Sequence, residues 1–194
     1  VRFARLAAAW VRVGYTQSNF NSDNCLISGA TVDYGPFGFI EAYDPRWGMW
    51  IGAGDHFAFM NQPKAAGRNY AQFVRSLDSL LDARGRREIA RLVDGYDAVA
   101  DAELGEVLRQ KLGLPAWGAK GEALWRRLEE LLSAHRTDWT IFWRRLSDCV
   151  GAADDDDDEK ALSPLRAAFY APLSAAAEAE WAAWLRVWRQ QALA

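Results

Sequence analysis

Only two cysteines, Cys25 and Cys149, occur in this chain of 194 residues, and neither belongs to a CxxC pair. Zinc ribbons and disulfide frameworks need clustered thiols, so both are unsupported. Histidine is as sparse: His56 and His135 are the only two. No Ser-His-Asp, Cys-His or zinc-ligand spacing surrounds either of them. No apolar run approaches the roughly 20 residues that a membrane span requires. The first residues lack the positive-then-apolar pattern of a leader. A strong charge of one sign is missing as well. The net charge of −3 implies no general attraction to nucleic acid. The chain opens at Val1, not methionine, which suggests a fragment or a processed product whose targeting segment would not be visible.

What is present is enough for a core, with 51% hydrophobic residues. Residues 1–65 are rich in Gly, Asn, Asp, Pro and aromatics, whereas residues 66–194 read as helices. In the first region the pattern predicts a helix up to Trp10–Val13 and a loop at 16–24. A short β-hairpin follows, with strands near 25–28 and 30–33 and a turn at Ser28-Gly29. Residues 34–65 read as an ordered loop pinned by Phe37, Phe39, Tyr43, Trp47, Trp50, Phe57 and Phe59. In the second region, Tyr70 to Leu81 carries apolar residues at three- and four-residue steps, as do the segments around Ile89, Leu104, Leu128 and Phe142. Trp181, Trp184, Leu185 and Trp188 form a stripe expected to anchor a core. Arg84, Arg86, Arg87, Arg91, Arg126, Arg127, Arg144 and Arg145 read as solvated helix faces. Asp154 to Glu159 repel one another, and the acidic stretch 151–160 reads as a solvated loop. The fold class is therefore mainly α with a short β-hairpin.

The chemistry concentrates in Asn21-Ser22-Asp23-Asn24, followed by Asp33-Tyr34-Gly35-Pro36-Phe37-Gly38-Phe39. Asn24 offers a neutral carbonyl oxygen and Asp33 a charged one, and magnesium takes a few such ligands beside phosphates and water. Asp23 is placed to accept a proton from an attacking hydroxyl, facing away from Asn24 if the loop is extended. Gly35 and Gly38 would let the backbone turn tightly beside phosphates. The order of loop, hairpin and aspartate-glycine turn matches the metal end of a kinase lobe. It is not that of an ordinary protein kinase. There is no HRD, the asparagine is adjacent to the aspartate, and Tyr34 stands in the middle of the second motif.

Taken with Trp10-Val11-Arg12-Val13-Gly14-Tyr15, Tyr43-Asp44-Pro45, His56-Phe57-Ala58-Phe59 and Asn61-Gln62-Pro63, these motifs resemble the selenoprotein O family in order and spacing. The dense match covers about residues 10–75. The helical remainder fits more loosely, through Phe169-Tyr170-Ala171-Pro172-Leu173 and Trp181-Ala182-Ala183-Trp184-Leu185.

The resemblance implies the C-lobe portion of a protein-kinase-like fold, with residues 1–65 as its catalytic and metal-binding segment and 66–194 as its helical part. It implies a protein adenylyltransferase that moves AMP from ATP to Ser, Thr or Tyr hydroxyls of proteins and releases pyrophosphate. Carried over by motif, Asp23 is the proton acceptor, Asn24 and Asp33 hold Mg²⁺ or Mn²⁺, and Asp33 also touches the nucleotide. It implies a mitochondrial compartment in a eukaryote and the cytoplasm otherwise. Gln17-Ser18 stands where many members have His-Gly, and no terminal cysteine motif is visible. The family's upstream nucleotide lobe is not in this sequence, so the isolated chain is expected to be inactive. The residues by themselves leave two alternatives open, phosphoryl transfer by the same groups and a non-catalytic binding module.

Overall fold

A computed structural model describes residues 1–31, 35–150 and 158–192. They are mainly helical, with one two-stranded antiparallel ladder. The chain divides into two compact units, residues 1–40 with 45–107 and residues 41–44 with 108–194.

The first unit is organised by α1 (Arg2–Val13) and α2 (Gln62–Ser76). Phe3, Ala7, Trp10 and Val11 recur at helical spacing and are buried along one face of α1. The helix ends at Gly14, whose φ of 77° is open to glycine at little cost and whose N–H closes on the Trp10 and Val11 carbonyls. Small residues Ala65 and Ala66 on α2 are fully buried and complete the cluster with Phe3, Ala4 and Ala7.

The ladder does not lie where the sequence suggested. Cys25 to Thr31 form no strand, and residues 32 and 33 of the second predicted strand lie outside the described residues. Ile27 and Ser28 form a turn closed by the Gly29 N–H on the Leu26 carbonyl at 2.9 Å. The strands are β1 (Tyr15–Gln17) and β2 (Phe37–Phe39), paired with Tyr15 opposite Phe39 and Gln17 opposite Phe37. Aromatic contacts favour this register. Tyr15 stacks on Phe37 at 5.6 Å and meets Phe39 edge-on at 5.4 Å. The segment read as a loop over 34–65 thus holds β2, two 3₁₀ turns (Ile51–Phe57 and Phe59–Asn61) and the start of α2.

Two helices follow, α3 (Ala83–Asp94) and α4 (Tyr96–Leu112). Asp82 caps α3 by accepting from the Gly85 N–H at 2.7 Å. The stripe from Tyr70 to Leu81 is shorter as a helix than its periodicity predicts. It stops at Ser76, and Asp78–Leu80 form a 3₁₀ turn with Leu80 exposed.

The second unit comprises the last turn of α4 from Leu108, α5 (Ala119–Ala134), α6 (Trp139–Leu146), α7 (Asp158–Leu162) and α8 (Ala175–Ala192). Trp181, Trp184, Leu185 and Trp188 are buried on one face of α8, as the stripe predicts. The indole nitrogens of Trp184 and Trp188 donate to the Leu124 and Leu112 carbonyls at 3.0 and 2.8 Å, so their burial leaves no lost hydrogen bond. Tyr43 stacks on Trp139 at 5.4 Å and donates its hydroxyl proton to Glu129 at 2.7 Å. Burial raises the Glu129 carboxyl above its ordinary pKa, and the Tyr43 bond partly opposes that rise.

All eight of the singled-out arginines are exposed. Of the acidic stretch, residues 151–157 lie outside the described residues. Asp158, Glu159 and Lys160 are not loop but open α7, where carboxylates suit a helix N-terminus, and Asp158 pairs with Arg186.

Candidate active site

Asp23 and Asn24 share a single 3₁₀ turn, Ser22–Asn24, entered from extended Asn21 and left through extended Cys25. The extended loop of the sequence reading is therefore replaced by a turn. At three residues per turn, adjacent side chains diverge by about 120°, not 180°. Asp23 is exposed and Asn24 half-buried. Among the described residues, no side chain donates to the Asp23 carboxylate or pairs with it, so its oxygens are open to an incoming proton donor.

The Asn24 carboxamide is oriented by its neighbours. Its Nδ2 donates to the Asn19 carbonyl at 2.7 Å, and a carbonyl can only accept. That fixes the orientation of the amide, with Nδ2 on the Asn19 carbonyl and Oδ1 at the other end. An amide oxygen is the kind of ligand that a hard cation such as Mg²⁺ takes. Asn21 Nδ2 donates to Asn19 Oδ1 at 2.7 Å, and the Asn24 N–H closes the turn on the Asn21 carbonyl at 3.0 Å. Asp33 lies outside the described residues.

The turn is held from below by the core. Phe20 is buried and meets Trp10 edge-on at 4.8 Å, and the Trp10 indole donates to Thr31 Oγ1 at 2.9 Å. Cys25 follows the turn but starts no strand. Its thiol donates to the Asn21 carbonyl at 3.3 Å, and burial, with a smaller contribution from the Asp23 charge, pushes its pKa up to about 11.

A family model described as protein adenylyltransferase SelO matches residues 1–194. The chain belongs to the SelO family. Protein nucleotidyltransferase YdiU of Aromatoleum aromaticum is 36% identical over 193 residues, covering 98% of this chain and 35% of that protein. The protein of the same name from Mycolicibacterium paratuberculosis is 37% identical over 179 residues, covering 86% and 34%. That from Cereibacter sphaeroides strain KD131 is 38% identical over 195 residues, covering 96% and 36%. The chain thus spans about a third of the length of these SelO relatives.

Gln17 and Ser18 are both buried. Gln17 accepts from the Tyr15 hydroxyl, and Ser18 Oγ accepts from the Met49 N–H at 2.8 Å. Both therefore shape the strand and the loop beside it. Gly38 does not turn the backbone. It lies in β2 opposite Thr16, and a Cβ there would sit 2.7 Å from the Trp47 ring. His56 is a loop-ordering residue, with Nδ1 2.7 Å from Arg68 and its ring against Phe57 at 4.3 Å.

The sequence reading assigned no role to Asn69, and Gln62 entered it only within the motif Asn61-Gln62-Pro63. Gln62 and Asn69 are buried on the same α2 face as Ala65 and Ala66. Polar residues seven apart on an otherwise apolar stripe are the signal that could have found them, because buried amides must be hydrogen-bonded.

Proposed function

We propose that the whole protein is an adenylyltransferase of kinase-like fold, of which this chain supplies C-lobe elements. The orientation of Asn24 carries the reading. An amide whose nitrogen end is fixed on the Asn19 carbonyl, next to an Asp23 carboxylate with no side-chain partner among the described residues, suits a base beside a metal ligand. Family membership supplies the reaction class. A Ser, Thr or Tyr hydroxyl of a protein substrate loses its proton to Asp23. Its oxygen bonds to the α-phosphorus of ATP, the bond from that phosphorus to the bridging oxygen of the β-phosphate breaks, and pyrophosphate leaves. Asn24 and Asp33 would hold Mg²⁺ or Mn²⁺, which neutralises phosphate charge when bound. Asp33 also contacts the nucleotide. The relatives named above are bacterial, which favours the cytoplasm over a mitochondrial location.

Intact mass of a substrate protein after incubation with Mg²⁺-ATP and the whole protein tests this. A gain of one AMP with pyrophosphate release is expected, and Asp33→Ala should abolish it. A gain of one phosphate would overturn the chemistry. Undiminished transfer by Asp33→Ala would overturn the metal assignment.

A further inference from the structure

Asn69 is 5% exposed, and both protons of its carboxamide are used on the loop that carries Asp23 and Asn24. Nδ2 donates to the Phe20 carbonyl at 2.8 Å and to Cys25 Sγ at 3.1 Å. Phe20 precedes the 3₁₀ turn and Cys25 leaves it, so one rigid side chain ties the entry of the turn to its exit. Among the described residues, the other hydrogen bonds of the turn are local, from Asn21, Asn24 and Cys25 to Asn19 and Asn21. They fix the shape of the turn, and its place on the core is set by Asn69 together with the buried Phe20 ring.

We propose that Asn69 is a positioning residue that holds Asp23 and Asn24 in register with the reacting groups. This rests on the adenylyltransferase reading above. A helix is a stiff support, and an amide whose two donors are both engaged has one orientation available. A site held in this way keeps its geometry without reorganisation during the reaction. Aspartate at position 69 has nearly the same shape but offers acceptors where the Phe20 carbonyl and the sulfur require donors. The loop would then move away from α2 while its local bonds persist.

The test uses the whole protein with Mg²⁺-ATP and a protein substrate. It compares the unaltered protein with Asn69→Asp, Asn69→Gln, Ala66→Gly and Asp23→Ala. Asn69→Asp should lower kcat on the order of tenfold to a hundredfold, the scale for displacing a catalytic group by up to an ångström. It should also raise the Mg²⁺ concentration for half-maximal activity, because Asn24 moves with the loop. The KM for the protein substrate should stay near its original value. Asn69→Gln keeps the donors on a longer arm and should restore part of kcat. Ala66→Gly loosens the same helix and keeps both Asn69 hydrogen bonds, and should lower the melting temperature while leaving kcat and the Mg²⁺ dependence unchanged.

Unaltered kcat and Mg²⁺ dependence in Asn69→Asp would overturn the inference, provided that Asp23→Ala is inactive. Equal losses in Ala66→Gly and Asn69→Asp would also overturn it, reducing Asn69 to a stabilising residue. Full activity in Asp23→Ala would overturn the site reading itself, and the inference with it.

Discussion

Gln62 Oε1 accepts a hydrogen bond from the backbone N–H of Gln17 at 2.9 Å. The other end of the same amide donates to the Tyr15 and Phe59 carbonyls at 2.9 and 3.0 Å. In β1 the groups of Gly14, Thr16 and Ser18 face β2, as the Ile40 to Gly14 and Ser18 to Pro36 bonds show. Tyr15 and Gln17 therefore point the other way, and Gln62 takes the place of a third strand for them. Gln62→Leu removes these three buried hydrogen bonds. At about 0.5–1.5 kcal/mol each, a loss of roughly 3 kcal/mol is expected in urea unfolding. A loss near zero would contradict this role.

Gly38 should tolerate no side chain. A Cβ built there would lie 2.7 Å from the Trp47 ring and 3.0 Å from Met49 Sδ. Gly38→Ala should cost about 1–3 kcal/mol by overpacking. Trp47→Ala, combined with it in a double-mutant cycle, should recover part of that cost. Additive effects would show that the two do not meet.

His56 titration should run below the free imidazole. Arg68 carries only donors, so His56 Nδ1 accepts, and the ring is neutral with its proton on Nε2. Burial, and then the Arg68 charge, lower its pKa. The unfolded chain consequently takes up this proton at higher pH than the folded one. The stabilising contribution is complete above roughly pH 6.5 and declines as pH falls through that value towards the folded pKa. Arg68→Ala should move the NMR titration midpoint upwards and flatten the decline. A midpoint at or above the free value would contradict the pairing.

The two thiols should be nearly inert in the native state. Cys25 is pushed up to about 11 and Cys149 to about 12, in both cases chiefly by burial. Against a free thiol near 8.5, the thiolate fraction at neutral pH falls on the order of a hundredfold or more. Alkylation of the folded protein should be slower than that of the urea-unfolded chain by about that factor. Equal rates would contradict it.

Helix content and the tryptophan core were legible because they rest on local periodicity. Phe3, Ala7, Trp10 and Val11 announce α1, and Trp181, Trp184 and Trp188 announce the buried face of α8. The ladder was misplaced because strand pairing is not local. Tyr15–Gln17 finds Phe37–Phe39 across nineteen intervening residues, while the apolar run after Cys25 is drawn down by Asn21, Asn69 and Trp10. Asp23 and Asn24 are neighbours in the sequence, and the structure places both on one 3₁₀ turn. The supports of that turn and of β1 could not be named so directly. Gln62, on β1, and Asn69, on the turn, act mostly on backbone atoms, and a backbone atom leaves no mark in the residue types around it. The third member of the predicted site, Asp33, lies outside the described residues.

The most direct test of AMP transfer through Asp23 gives the whole protein and its Asp23→Ala variant ATP labelled at either the α- or the γ-phosphate. Label should pass to protein from the α-phosphate alone and be lost in the variant. Label from the γ-phosphate, or undiminished α-label in Asp23→Ala, would contradict the account.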